Sequence, residues 1–351
     1  MSEPALEAEG RQAPHKRLAA RFGRSESAVA QTLIAPGQLL LLFVIAFPAI
    51  VAIYISFTGW TPESGSLWYQ AWKYWLWFDN YWEALSGGAF WHAILRTVII
   101  TVLAVAFEFA IGFALALLFL KQFRGRSLLT VVFLLPMMVV PAVAGFIFYM
   151  LFQTDGPVNA GLTILLHDVL HVTGGIHIGW LTDPSLVIYS VTIVDIWQWT
   201  PLMFLILLSG LVALPEDQLN AARILGASYL QQLRYLVLPM MKPIILIAVI
   251  IRAIETLKLF DSAWLLTQGG PGDASSTISV YLYKTTFIAT RWGYASAVAI
   301  LVLIFVSILG MRAIRPIEAA TRETIEELAT AEPADEAPSL EQEIEAGAVA
   351  R

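Results

Sequence analysis

Four ionisable residues recur at every third position inside one apolar stretch: Arg252, Glu255, Lys258 and Asp261. On a helix, neighbours of opposite sign three residues apart can pair along one face. A charged residue at the centre of a membrane helix costs roughly 2.5 to 3.5 kcal/mol on insertion scales, so such a row must face protein or a wet cavity. A second apolar stretch carries Asp195, Gln198 and Thr200 beside Trp197 and Trp199. Carboxylates and amides bond hydroxyl groups, and an indole offers an apolar face, so this set suits a hydroxylated, sugar-like ligand. The competing reading is a polar brace between helices. Glu108, in another apolar stretch, is a weaker candidate that lies deeper and has no evident partner.

Other chemistries find little support. His167 and His171 stand four apart, a spacing that can hold a metal on a helix face. The pattern lacks the HExxH order of zinc hydrolases, and with His177 nearby, solvated loop histidines are the better expectation. The chain has no GxxxxGK[ST] stretch and no cysteine, so neither ATP binding by this chain nor a thiolate metal site is expected.

Composition determines the kind of element that carries these residues. Of 351 residues, 58% are hydrophobic and only 14% charged, with a mean hydropathy of +0.71, the composition of an all-α, polytopic membrane protein. The net charge of −6 belongs to the end of the chain, because residues 315–351 hold ten acids and three bases. Three regions follow: an amino-terminal segment 1–29, a membrane region 30–314, and an acidic tail 315–351 expected to be disordered beyond a short helix near Arg322. Six spans are predicted at 30–57, 93–120, 128–152, 186–213, 243–266 and 292–314. Pro36 and Pro48 are tolerated in the first if neighbouring groups satisfy the freed carbonyls. Residues 58–91 hold seven of the twelve tryptophans, which suggests an interfacial helix at headgroup depth.

Loop charges orient the six spans. Arg11, Lys16, Arg17, Arg21 and Arg24 precede the first, Lys121, Arg124 and Arg126 follow the second, and Arg223, Arg234 and Lys242 follow the fourth. The alternate loops carry only Lys73, Lys284 and Arg291. By the positive-inside rule both termini are cytoplasmic. Depth then relates the two polar sets. Arg252 lies about 14 Å beyond Pro243 and Asp195 about 14 Å from Leu186 at 1.5 Å per residue, so both approach the middle of a core about 30 Å thick.

Between the fourth and fifth spans, residues 214–243 form a polar, helix-prone insertion. Pro215, Glu216 and Asp217 suit a first helical turn. Gly226 interrupts good helix formers at a cost of roughly 1 kcal/mol against Ala, which asks for a bend. Leu230, Leu233, Leu236 and Val237 begin a second short amphipathic helix that Pro239 and Pro243 are expected to stop.

Within this insertion, Asn220-Ala221-Ala222, Gly226-Ala227 and Leu238-Pro239 resemble the signature loop of permease subunits of bacterial binding-protein-dependent ABC importers. Phe78-Asp79-Asn80-Tyr81, Trp197-Gln198-Trp199-Thr200-Pro201 and Leu265-Leu266-Thr267-Gln268-Gly269-Gly270-Pro271 are similar to the carbohydrate-uptake branch (maltose, trehalose and glycerol-phosphate type). Asn220 stands where that loop usually has Glu, and Leu225 where it has Asp. The resemblance implies that Asn220, Ala221, Ala222, Gly226, Ala227, Leu238 and Pro239 couple the chain to an ATPase. It also implies solute contacts at Met137, Pro141, Asp195, Gln198, Trp199, Arg252, Thr256 and Leu259, to which the charge row adds Glu255. The implied partners are a second homologous permease, an ABC ATPase dimer that binds Mg-ATP, a periplasmic or extracellular solute-binding protein and membrane lipid, with no nucleic acid and no cofactor in this chain.

The resulting expectation is a non-enzymatic, multi-pass permease of the bacterial inner membrane that imports a sugar, polyol or small glycoside by alternating access. The alternative is an ion- or proton-coupled secondary transporter with Asp195, Glu255 and Lys258 as relay; a membrane enzyme using the outer histidines is a further rival. The secondary-transporter alternative leaves the long insertion at 214–243 unexplained.

Overall fold

The computed structural model describes residues 14–170, 175 and 177–330. They form α1 (Pro14–Ser56), α2 (Asp79–Ser86), α3 (Gly88–Leu120), α4 (Arg126–Met138), α5 (Pro141–Leu151), α6 (Pro157–Leu170) and α7 (Val187–Val212). There follow α8 (Glu216–Ile224), α9 (Tyr229–Gln232), α10 (Leu238–Leu257), α11 (Asp261–Thr267), α12 (Ile278–Tyr283) and α13 (Trp292–Thr330). Among the described residues five helices are long and apolar enough to cross a membrane, and α4 with α5 makes a sixth if the bent pair is one span. In lipid every backbone polar group must be satisfied within the protein, which is why these apolar stretches are helical.

Several expected boundaries move. The helix of the first span starts at Pro14, ahead of the apolar part at Leu33–Ser56. The helix expected near Arg322 is the continuation of the last span to Thr330, and the rest of the acidic tail lies outside the described residues. The tryptophan-rich segment is not one continuous helix: it holds two 3-10 turns, Pro62–Ser64 and Trp68–Tyr74, and then α2. Buried Asn80 of α2 explains part of this, because its side-chain amide donates to the carbonyls of Ser56 (2.8 Å) and Thr58 (2.9 Å), which close α1.

The core is α3 packed along α7, with α10 against both. Ala104, Glu108, Gly112 and Ala116 are four apart on the buried face of α3. Small residues at that spacing let helix backbones approach in a membrane. At Gly112 the approach is closest: a Cβ there would lie 3.0 Å from both the backbone nitrogen of Phe204 and Cγ of Met203.

Two spans are broken where continuous helices were expected. The third bends by 95° between α4 and α5. Pro141 opens α5, and Val139 and Val140 are extended before it, because proline disfavours the helical region for its predecessor and supplies no N–H. The carbonyl of Val139, freed by the break, accepts from Nε2 of Gln198 at 2.7 Å. The helix of the fifth span ends at Leu257, with Lys258 capping it and α11 beginning at Asp261. Here the freed carbonyl of Leu259 accepts from the Thr277 hydroxyl at 2.9 Å. The charge row therefore does not continue along one helix to Asp261. α5 and α11 touch closely at Gly145, where a Cβ would come within 2.6 Å of the Ser262 carbonyl oxygen.

Candidate functional site

Three long helices meet at a buried polar cluster. Arg252 on α10 is 1% exposed. Its Nε donates to Glu108 Oε2 at 2.7 Å and its Nη2 to Oε1 at 2.9 Å, a bidentate pair across α3 and α10. The same Nη2 donates to Asp195 Oδ2 on α7 at 3.0 Å and to the Thr256 hydroxyl at 3.1 Å. Thr256 in turn reaches Asp195 at 3.3 Å. The guanidinium carbon lies 4.9 Å from the ring centroid of Trp199, within cation–π range. Asp195 and Arg252 share one depth, as expected, since the two residues touch. Glu108, for which the sequence offers no evident partner, is the bidentate anchor of Arg252. It is the one carboxylate in α3, so the need for a buried cation to face it was a usable signal.

A cavity of about 190 Å³ opens beside this cluster, and its lining includes Pro141, Asp195, Trp199, Arg252, Glu255 and Leu259. Lys258 and Asp261 of the charge row, with Phe260 and Ser262, which the sequence did not suggest, complete it from the second break. Discontinuous helices commonly line solute sites in transporters, because unwound backbone is tolerated only against protein or a water-filled cavity. Gln198 and Thr256 are buried and committed to hydrogen bonds rather than lining the cavity, and Met137 is half-buried on α4 outside it. Glu255 and Lys258 pair at 2.9 Å with about half of each side chain exposed. The arrangement can thus present an indole face and carboxylate acceptors to a polar, uncharged group, while the guanidinium is held by the protein.

The insertion forms the first short helix expected of it, whereas the second is the start of a helix that runs from Tyr229 to Leu257. Pro215 is the N-cap of α8, one position earlier than anticipated, with Glu216 and Asp217 in the first turn. At the other end Gly226 has a φ of +83°. The N–H groups of Gly226 and Ala227 donate to the carbonyls of Arg223 and Ala222, both at 3.0 Å, the paired bonds of a Schellman cap. Ser228 then starts α9 with a reciprocal capping box to Gln231. Asn220 accepts from Arg223 at 3.3 Å, and Ala221 and Ala222 share its helix. Ile224 and Leu225 are 86% and 87% exposed at the tip. Pro239 and Pro243 do not stop the second helix. A π-helical turn, Leu233–Val237, carries α9 into α10, whose first turn contains Leu238 and Pro239. A groove of about 540 Å³ joins Gln122 and Arg126 to Glu216, Asn220 and Arg223, which puts the loop after α3 on the same membrane face as α8.

Among the histidines, His177 lies 3.6 Å from Asp155 with both side chains largely exposed. The His167 side chain and His171 fall outside the described residues.

Comparison with known proteins agrees over most of the chain. The family described as binding-protein-dependent transport system inner membrane component matches residues 108–323. The chain is 36% identical over 274 residues to a probable ABC transporter permease protein, y4oQ, of Sinorhizobium fredii, covering 77% of this chain and 84% of that one. It is 31% identical over 227 residues to the trehalose/maltose transport system permease protein MalF of Thermococcus litoralis, covering 65% and 74%. A crystal structure of a bacterial ABC transporter involved in import of the acidic polysaccharide alginate matches in fold, with a TM-score of 0.68 at 18% identity over 86% of this chain and 99% of that one.

Proposed function

The chain belongs to the binding-protein-dependent transport system inner membrane component family, and from that premise we propose that it passes a sugar, polyol or small glycoside through the membrane by alternating access. It is a multi-pass inner membrane permease subunit of an ABC importer, a family without ATPase activity or cofactor of its own. That membership removes the secondary-transporter and enzyme alternatives.

The observation that carries the proposal is the cavity at the two helix breaks, with Trp199 on one side and Asp195 and Glu255 as acceptors. In this reading Trp199 stacks on the apolar face of the solute and the carboxylates take its hydroxyls. Pro141 and Leu259 shape the wall and Met137 backs it. Arg252, Glu108 and Thr256 hold Asp195, and Gln198 holds the first break open. The trehalose/maltose relative supports a carbohydrate as the solute.

Partners follow from the same reading: a second permease, an ATPase pair and an external solute-binding protein. The exposed Ile224 and Leu225 on α8 suit an apolar cleft of the ATPase, with Asn220, Ala221, Ala222, Gly226 and Ala227 setting the approach and Leu238-Pro239 anchoring it to α10. The basic loops support a cytoplasmic location for this face and for both termini by the positive-inside rule. ATP-driven closure of the ATPases draws the two coupling loops together and opens the cavity outward.

The test is uptake by the reconstituted complex. Trp199→Ala should lower uptake about ten-fold, as expected for loss of one stacking contact of up to about 1.5 kcal/mol, and Glu255→Gln should lower it measurably, with ATPase co-purification unchanged in both. Normal uptake of trehalose and maltose by both variants would remove this cavity from the solute path.

A further inference from the structure

A second, larger cavity of about 600 Å³ lies at the far end of the α5–α11 pair. The inner cavity touches the first residues of each helix, Pro141 and Asp261, whereas this one is lined by their C-terminal halves and by the loops at 153–154 and 181–182. It therefore opens on the membrane face opposite α8. Its size is that of a site for a small organic ligand. Phe146 and Tyr149 give it ring faces, each about half exposed. Thr154, Thr182 and Gln268 give it polar groups whose side chains make no hydrogen bond within the described chain. No charged side chain lines it among the described residues.

The wall is built rather than incidental. Asn159 is 2% exposed. Its amide nitrogen donates to the carbonyls of Thr154 (2.8 Å) and Ile178 (2.9 Å), and its oxygen accepts from Trp180 Nε1 at 2.9 Å. One buried amide thus ties together the two loops that face each other across the rim. On the other side, Gln268 is held in a left-handed conformation with its N–H on the Trp264 carbonyl at 2.9 Å, and the neighbouring Thr267 hydroxyl lies 2.7 Å from Ser275 Oγ.

We propose that this cavity is an outer binding station for an uncharged, hydroxylated solute of one or two sugar rings. Tyr149 and Phe146 stack on the ring, and Gln268, Thr154 and Thr182 supply the hydrogen bonds that the chain leaves unused. The inference rests on the carbohydrate reading above and adds a site before the inner cavity on the same path. A neutral lining beside an inner cavity with five ionisable side chains would admit neutral sugars and hold acidic ones no better than water does.

The chain contains no cysteine, so single cysteines report each site separately. In the assembled complex, Gln268→Cys marks the outer station and Glu255→Cys the inner cavity, and maleimide labelling of this chain is timed with trehalose, maltose or glucuronate present. A neutral sugar at about ten times its Kd should slow labelling of Gln268→Cys about ten-fold by simple occupancy, and glucuronate should not. Tyr149→Ala should raise the sugar concentration needed for half-protection about three- to ten-fold, while Tyr149→Trp keeps it near the starting value. Protection at Glu255→Cys without protection at Gln268→Cys overturns the station and leaves the carbohydrate reading standing. No protection at either position by either neutral sugar overturns both. Equal protection by glucuronate, or a Gln268→Cys that labels in the isolated chain but not in the complex because a partner subunit covers it, also overturns the station.

Discussion

Replacing Arg252 by Met tests the cluster most directly. The substitution removes the one cation and leaves two carboxylates at 0% and 2% side-chain exposure. Breaking a buried pair by deleting one partner costs about 3–5 kcal/mol, most of it the penalty of the charge left behind. With two charges stranded, the upper end, about 5 kcal/mol, is expected. Glu108→Gln alone is milder: Arg252 keeps Asp195 and one amide oxygen, and loses charge-assisted bonds worth about 1.5–3 kcal/mol. Simple addition would make the double variant about 7 kcal/mol less stable than the parent. The cluster reading requires less, because Glu108→Gln removes one of the charges that Arg252→Met strands. A double-variant cost near 4 kcal/mol, and so a coupling of about 3 kcal/mol, is expected. Adding Asp195→Asn should recover stability again. Arg252→Lys should fail to rescue, since an ammonium lacks the planar fork that spans Glu108 and Asp195 together. The assay is reversible unfolding of the purified chain in mixed micelles, with membrane abundance as a second readout. Costs that add to within about 0.5 kcal/mol would refute the argument, because independent sites behave that way.

Other expectations are shorter. Gln198→Leu leaves the Val139 carbonyl unsatisfied at the first helix break and should cost about 1–3 kcal/mol; unchanged stability in the same unfolding assay would mean that water or a rearranged helix satisfies it. Gly226→Ala meets no atom of the chain, so its cost is the left-handed backbone, about 1–2 kcal/mol, and Gly226→Asn should be better tolerated. ATPase co-purification reads this, and equal retention with alanine and asparagine would show that the bend is not needed for docking. For topology, an impermeant maleimide added to intact cells should label Ser66→Cys and spare Gln231→Cys; labelling of the latter alone would invert the orientation.

Much of this protein was legible in its sequence because lipid imposes one rule everywhere: backbone polar groups must be satisfied locally. That rule turns apolar runs into helices long enough to span. Gly226 was likewise readable, since a glycine among helix formers at 221–227 has few uses other than a left-handed cap. Depth along the span paired Asp195 with Arg252, because rise per residue is the same for every helix. What depth leaves open is azimuth. Whether Glu108 faces lipid or Arg252 depends on how α3 is rotated against α10, and that rotation is set by close packing at Ala104, Gly112 and Ala116 against α7. The partner is 144 residues away along the chain, and no local pattern encodes it. The breaks at Val139–Val140 and at Lys258 were hidden for a related reason. A proline or a charge in an apolar run permits a break, but only a neighbouring helix that supplies Gln198 or Thr277 to the freed carbonyl makes it stable. Composition and periodicity therefore determined which segments cross the membrane, whereas helix rotation and the breaks, which together create the cavity, were decided by tertiary packing, because a buried charge or carbonyl is stable only where another element brings its partner.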